Sequence, residues 1–378
     1  MTDQPAAPPT LPRYGEASLA DLATSLLTSL GIDGPNPLGL PPAARVCLLV
    51  VDGLGWELLR DHQAAAPFLA ELTMNGRPLT AGFPATTVTS LTSLGTGRPP
   101  GQHGMLGYQV AVPGQGRLLN ALRWDRSIDP VAWQPGPTIF EQATAAGVAA
   151  FRVAPAVLRA TGLSVAAMRG AGYRAADSLG ALVAQAAAAL KESDRALVMA
   201  YYGSLDGTGH VCGCTSDAWR YELGHVDKLA EQLASALPHG TVLHVTADHG
   251  MVDVPPHDRI DADEIPELRN GVALLGGEPR ARHVYAEPGA AADVLAAWRE
   301  ILGARAWVAS REEAISAGWF GEVAAPMADR IGDVVAAPAG SWAVVATRAE
   351  PRESALIGMH GSLTTSDQLV PQLMLADL

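Results

Sequence analysis

Lysine is almost missing from this chain: only Lys191 and Lys228 occur among 378 residues, so arginine carries nearly all of the positive charge. Acidic residues outnumber basic ones, 39 against 26, for a formal net charge of −13. Binding long nucleic acids demands clustered Lys and Arg, and that class of partner is excluded. A small anionic substrate is not, because bound metal ions can supply positive charge locally. Cysteine is nearly as scarce. Cys47, Cys212 and Cys214 are an odd three in a long chain and form no disulfide framework. Cys212 and Cys214 also lack the second pair that a zinc knuckle requires. No apolar run approaches the ~20 residues of a membrane helix. The N-terminus, MTDQPAAPPTLPRYGE, has no basic stretch leading into an apolar one and is no secretory signal. These absences predict a soluble cytoplasmic protein with no membrane partner. Nothing in the sequence speaks for or against self-association.

What is present is a well-buried chain, 48% hydrophobic and 17% charged, long enough for one large domain with an insertion or for two domains. Residues 1–14 are Pro-rich and read as a flexible tail. Leu19, Leu22, Leu26 and Leu30 then follow helical spacing up to Gly31. VCLLVV over 46–51, ALVMAYY over 196–202 and TVLHVTA over 241–247 are continuous apolar runs of the kind found in buried parallel strands. Val148–Val153 is a further candidate strand, and Leu179–Leu190 is Ala-rich and helical. Strands alternating with helices predict an α/β fold, a mostly parallel central sheet flanked by helices. Residues 256–344 change character. HVYAE and ARAWVA flank a helical stretch around Leu295–Leu302, and IGDVVAAP and SWAVVATR follow. This stretch reads as a small inserted α+β cap. The core then comprises 15–255 and 345–378, closing on GMHGSLT and a C-terminal helix.

Each of the three apolar strands runs into a short segment rich in Asp and His: Asp52, then Asp206 with His210, then Asp248 with His249. Ligand sites of open α/β sheets form at the carboxyl ends of the strands, so these residues are expected at one edge. Taken singly, each has a plainer explanation. Asp-Gly after a strand makes a turn, and Asp206 with His210 can cap a helix. Together they are a donor set for Zn²⁺ or Mn²⁺. Three Asp and two His exceed the need of one open catalytic ion. Two ions ~4 Å apart would use them, and such pairs clamp the attacking and leaving oxygens of an in-line displacement.

The stretches VVDGLG, FPATTVTSLTSLGTGRPPGQHG, YYGSLDGTGH, TADHGM and GMHGS, in this order over residues 50–362, resemble the alkaline phosphatase superfamily, in particular its nucleotide pyrophosphatase/phosphodiesterase branch. The resemblance implies an alkaline-phosphatase-like core and two divalent metal ions per chain. It assigns Asp52, Asp248 and His249 to one ion, and Asp206, His210 and His360 to the other. Nucleophiles of the family lie ten residues before the Gly of the T-G-x-x-P-x-x-H-G motif. Counting back from Gly97 gives Thr87, which would also touch the metals, with Thr86 the alternative. The residues agree with that role: Thr87 would open a helix, where backbone N–H groups and the dipole face a phosphate, and a metal at its oxygen would lower the hydroxyl pKa. A plain N-cap is the other reading of the Thr86-Thr87 pair. His103, in the same motif, is expected to be structural.

The chain departs from the branch at Tyr108, where an Asn donating to a phosphate oxygen is usual. Its hydroxyl is the candidate substitute and makes Tyr108 the expected substrate-binding residue. Sulfatases need C/S-x-P-x-R, which none of the cysteines provides. Phosphatases need an Arg on the monoester dianion, and Arg98 and Arg117 sit in the wrong setting. Phosphonoacetate hydrolases use lysines on the substrate carboxylate, and neither lysine here lies in a motif. A non-catalytic nucleotide-binding module should have lost a ligand or the nucleophile, and all seven positions are filled. A diester monoanion, needing less positive charge, fits best. Relatives in actinobacteria act as cyclic di-AMP phosphodiesterases, and the GC-rich character of the composition and the cap length resemble theirs. The expected partner is therefore a small nucleotide, a cyclic or linear dinucleotide, with cyclic di-AMP cut through pApA to AMP. Trp298, Trp307 and Trp319 in the cap are candidates to face a base, although core packing accounts for most of them.

Overall fold

A computed structural model describes residues 7–376. Its centre is a seven-stranded sheet in the order Arg77–Thr80, Leu369–Leu375, Thr241–Thr246, Arg45–Val51, Ala196–Tyr202, Ala149–Ala154 and Gly172–Ala175. The last five of these run parallel. The predicted mostly parallel α/β architecture is what the chain adopts. Val46 to Val51 are buried completely, because helices flank the sheet and leave neither face of the central strand to water. Leu19–Ser29 packs on Thr87–Thr96, which packs on Gly162–Met168, and Leu179–Leu190 packs on Asp217–Ala236. The first of these helices starts where Ser18 and Asp21 form a reciprocal capping box. No described helix is long and apolar enough to cross a membrane.

Register decides where the strand ends fall. Val51 stands opposite Tyr202, and Val50 stands opposite both Tyr201 and Thr246. The three strands therefore finish level, and the segments that follow them leave the sheet side by side.

Two expectations are corrected. The C-terminal segment is not a helix: a single turn over Thr365–Gln368 leads into the strand Leu369–Leu375, antiparallel to both neighbours. Pro371 would break a helix there, and it meets Pro78 across the ladder toward the short Arg77–Thr80 strand. The expected tail is also partly anchored. Its residues 1–6 lie outside the described ones, but Thr10 N donates to Leu363 O at 2.7 Å. Tyr14 bridges two distant loops, its hydroxyl donating to Trp319 O and accepting from Phe83 N, each at 3.0 Å.

Residues 256–344 contain an antiparallel four-stranded sheet in the order Val272–Glu278, Ala281–Ala286, Val334–Pro338, Ala306–Ser310. Along one strand the side chains alternate between two cores. Val334 and Ala336 face a small cluster with Val294, Trp298 and Leu302 of the helix Ala291–Leu302, while Val335 and Ala337 join the main core. The small sheet is thus packed on both faces and forms a fixed wall of the molecule. A two-residue ladder, Val252–Asp253 with Gly358–Met359, sews the loop after His249 to the one carrying His360.

Candidate active site

Asp52 is the first residue beyond its strand, and its N–H still bonds Tyr202 O at 2.9 Å. Asp206 and His210 lie one turn apart on the helix Ser204–Cys212, which begins directly after Ala196–Tyr202. Asp248 and His249 follow Thr241–Thr246, and His360 arrives on the loop sewn to them. Gly53, at φ +75°, allows the approach: a Cβ there would lie 3.1 Å from Asp206 Cα. The structure gathers the six residues into two groups, Asp52, Asp248 and His249 in one and Asp206, His210 and His360 in the other. Within each, one potential ligand atom per residue lies within 4.8 Å of the others.

All three imidazoles are turned the same way. Nδ1 of His210, His249 and His360 lies 2.7, 2.9 and 2.9 Å from the carbonyl oxygens of Gly358, Gly250 and Ala85. A carbonyl can only accept, so each Nδ1 carries a proton and each Nε2 points into the site, the arrangement by which outer partners prepare histidine ligands. Around these nitrogens, His249 Nε2 is 3.3 Å from Asp52 Oδ1 and 3.6 Å from Asp248 Oδ2. His210 Nε2 is 3.3 Å from Asp206 Oδ2, and His360 Nε2 is 3.9 Å from Asp206 Oδ1.

The electrostatics show a site built for more positive charge than the chain itself supplies. Asp206 is pushed well above the carboxylate range by burial and then by the charge of Asp52. Asp248 is pushed up to about 7, again by burial and Asp52. Burial would raise Asp52 too, but the His249 imidazole and the Tyr201 hydroxyl hold it below its ordinary value. Burial would depress His249, yet Asp248 and Asp52 hold it up at about 10. His360 is held well below its ordinary value by burial and by the charges of His249 and His210. Asp206 Oδ1 and Asp248 Oδ2 are buried with no hydrogen-bond partner. Three carboxylates that burial disfavours, two orphaned oxygens and three pre-turned Nε2 atoms suit divalent cations. Two dications would offset the three negative charges, so the residues present fit the pair of metals expected for them.

Thr87 opens the helix Thr87–Thr96, with Thr86 at the N-cap. Its Oγ1 lies 3.2 Å from His249 Nε2 and 3.5 Å from Asp52 Oδ1. Thr86 makes no capping bond with its side chain, so the free N–H groups of the first turn remain available to an anion. Thr86, Thr87, Asp206, His210 and His360 line one cavity of about 330 Å³, with Tyr108, Leu122, Arg123, Glu278, Pro279, Glu353, Leu356 and Met359 around its mouth. Tyr108 is thus in the cavity, but its hydroxyl already donates to Glu353 Oε1 at 2.9 Å. None of Trp298, Trp307 and Trp319 lines it.

Sequence reasoning missed four residues here. Tyr201, whose hydroxyl donates to Asp52 Oδ2, sits at the end of an apolar strand and is hidden in it. Glu278 ends the strand Val272–Glu278 of the inserted sheet, Glu353 belongs to a short helix before His360, and Arg123 to a loop after a hairpin; no motif marks any of them. Arg117 is occupied by Asp125 at 2.6 Å, so Arg123 is the arginine that reaches the cavity mouth. His103 is structural as expected. It is buried, its Nδ1 accepts from Met105 N at 3.1 Å and its Nε2 lies 3.0 Å from Ser93 Oγ, and burial pushes its pKa down to about 3. Cys47, Cys212 and Cys214 are all free thiols.

Comparison with known proteins covers nearly the same span. Residues 46–363 match the family described as type I phosphodiesterase / nucleotide pyrophosphatase. No curated protein sequence matches. Among solved structures, murine ectonucleotide pyrophosphatase/phosphodiesterase 5 superposes with a TM-score of 0.69 at 19% identity, covering 87% of each chain. An inactive threonine-to-alanine variant of it, in complex with AMP, gives 0.68 at 19% with the same coverage. Phosphonoacetate hydrolase from Sinorhizobium meliloti 1021, in complex with phosphonoformate, gives 0.67 at 20%, covering 88% of this chain and 90% of that one. At such identities the likeness is one of fold.

Proposed function

This chain belongs to the type I phosphodiesterase / nucleotide pyrophosphatase family and is a phosphodiester hydrolase of that kind; we propose that Thr87 is its nucleophile and cyclic di-AMP its substrate. The observation that carries the first part is the position of Thr87 at a helix start, 3.2 Å from His249 Nε2, in one cavity with the second group of candidate ligands. Asp52, Asp248 and His249 would hold one divalent ion and Asp206, His210 and His360 the other, Zn²⁺ or Mn²⁺. The ions supply a lowered pKa for a bound hydroxyl and positive charge against the phosphoryl oxygens.

The chain's own residues do the rest. Thr87 Oγ gives up its proton to solvent and attacks phosphorus in line as the bond to the leaving oxygen breaks. That oxygen takes up a proton and leaves as a hydroxyl, and Thr87 is left in a phosphodiester with the rest of the substrate. The free N–H groups of the first helical turn face the nonbridging oxygens. Water then cleaves the ester and restores the threonine. His249, with its Nδ1 proton fixed on Gly250 O, and Asp52, braced by Tyr201, keep the attacking oxygen in place.

The substrate reading rests on the resemblance to cyclic di-AMP phosphodiesterases and is supported by a second cavity. Leu122 and Arg123 separate the first from a neighbour of about 610 Å³ that Trp124 and Arg126 also line. A phosphate and a base beyond the scissile unit would find a cation and an aromatic ring there. Residues 256–344, which we propose as the cap, contribute Glu278 and Pro279 to the first cavity. We also propose a cytoplasmic location, with which the free thiols of Cys47, Cys212 and Cys214 agree. The test is to incubate metal-loaded protein with bis(p-nitrophenyl) phosphate, cyclic di-AMP, nucleoside triphosphates, simple monoesters and phosphonoacetate. Chromatography of a timed cyclic di-AMP digest should show transient pApA before AMP, because the linear product keeps one diester for the same residues. Inert cyclic di-AMP beside rapid triphosphate turnover would make the chain a nucleotide pyrophosphatase.

A further inference from the structure

Glu278 is buried, 7% exposed, at the rim of the cavity that holds Thr87. Its Oε2 accepts from the backbone N–H of Tyr108 at 3.2 Å. Its Oε1 has no hydrogen-bond partner. A buried carboxylate oxygen without a donor is uncommon, because its lost hydration is replaced by nothing. The neighbouring cation does not reach it: Arg282 spends Nη1 on Glu350 at 2.7 Å and Nε on Val344 O at 2.8 Å, its Nη2 has no partner of its own, and no ion pair to Glu278 forms among the described residues. Nor does Tyr108, whose hydroxyl goes to Glu353. Glu278 lines the cavity, so a ligand there can supply the donor that Oε1 lacks.

Where Glu278 stands narrows what brings that donor. Gly361 follows His360, and a Cβ on Gly361 would lie 3.0 Å from Glu278 Cγ. Glu278 thus sits one residue away from the second candidate metal group. In a nucleotide held there by its phosphate, the part within this reach is the sugar, not the base. A ribose next to a 3′-linked phosphate offers a 2′-hydroxyl donor, and a deoxyribose offers none.

We propose that Glu278 is a specificity residue, its free Oε1 accepting a hydrogen bond from the sugar hydroxyl beside the scissile phosphate, so that the protein selects ribonucleotide diesters over deoxyribonucleotide ones. The inference rests on the phosphodiesterase reading above and adds the class of sugar.

The test measures binding, in a Thr87→Ala background that cannot turn over. Titration calorimetry with manganese-loaded protein compares linear adenosine dinucleotide with its 2′-deoxy counterpart. The expected result is tighter binding of the ribose form by about tenfold, the scale of one hydrogen bond. Adding Glu278→Gln, which keeps an oxygen for the Tyr108 N–H, should bring the two within about twofold. Equal affinities in the Glu278 protein, or a preference that survives Glu278→Gln, would overturn the proposal. Hydrolysis of bis(p-nitrophenyl) phosphate by the unsubstituted protein keeps the two readings apart. Turnover there without sugar discrimination overturns this inference alone, and no turnover of any diester overturns the phosphodiesterase reading with it.

Discussion

The imidazole rings of His249 and His360 lie face to face, their centroids 3.5 Å apart and their planes 14° from parallel. One ring belongs to each of the two candidate metal groups, so the groups share a wall. Two protonated rings so stacked would repel, and only one of them holds a proton on both nitrogens. His249 is held up at about 10 by its carboxylates while His360 is held down. The proton on His249 and a divalent cation are alternative answers to the same negative field.

Removing a carboxylate should therefore cost metal as well as rate. Asp206→Asn and Asp248→Asn are expected to lower the ions bound per chain, read by elemental analysis after gel filtration, and to abolish turnover. Full metal content and activity in both variants would remove these residues from the site.

The geometry of Thr87 predicts unequal effects of three small substitutions. Thr87→Ala should reduce hydrolysis by at least about 10³-fold, Thr87→Ser should retain part of it, and Thr86→Ala should be mild. Mass spectrometry of protein acid-quenched during turnover of a nucleotide diester should find a nucleotidyl group joined through phosphate to Thr87. A dead Thr86→Ala beside an active Thr87→Ala would move the nucleophile by one residue.

Tyr201 touches no reacting atom, and its test lies in metal affinity. Tyr201→Phe deletes the hydroxyl that donates to Asp52 Oδ2, and loss of such an outer partner typically weakens metal binding by about 10–100-fold. A chelator competition should show this while the far-UV spectrum is unchanged. Undiminished affinity would make the tyrosine a packing residue.

Without metal, stability should fall as pH rises above neutrality. Asp248 and Asp206 have raised folded-state pKa values, so the folded chain binds more protons than the unfolded one from about pH 4 upward. That part of the stability is present in acid and is lost as pH rises through about 7 for Asp248. His249 acts in the same direction, its contribution complete below about pH 6.5 and lost as pH rises through about 10. His103, His210, His244, His283 and His360, held below their ordinary value by burial, act in the opposite direction up to about pH 6.5. Thermal melts of metal-free protein should therefore drop from about pH 7 to 10, and saturating metal should flatten the slope. A metal-free melting temperature that rises over that interval would contradict the charge picture.

Arg280 and Asp367, both fully buried, form a two-point pair at 3.0 and 2.6 Å. Asp367 also accepts from Ser362 N at 3.1 Å, which holds the loop after His360. Arg280→Met should destabilise by about 3–5 kcal/mol by leaving a buried charge unpaired. Adding Asp367→Asn should recover part of that loss in denaturant unfolding.

The parts of this site legible in the sequence are those that repeat a simple physical pattern. Strands buried on both faces become unbroken apolar runs, and VCLLVV, ALVMAYY and TVLHVT are placed as read, with Asp52, Asp206 and Asp248 following them. Their convergence follows from parallel register, which length and spacing imply. Glu278, Glu353 and Arg123 are invisible there because the residues they face come from distant segments: Glu278 takes its role from Tyr108 and Gly361, each more than eighty positions away. Tyr201 is hidden by its strand, since a tyrosine in an apolar run looks like packing. The strand Leu369–Leu375 passes for a helix because a short apolar run has no decisive period, and Pro371 is the clue against it.

The alternation of Val334 to Ala337 between two cores, and the bond from Arg280 to Asp367, make the wall beside the site depend on residues made late. During synthesis Asp206 and His210 emerge between Asp52 and Asp248, yet the first ligand group is the first to be complete, with all its members by residue 249. The second waits for His360, whose loop is held by a pair that needs the inserted sheet already in place. The order of translation thus imposes an order of completion: a nascent chain halted within the insert already carries Asp52, Thr87, Asp248 and His249 but still lacks His360.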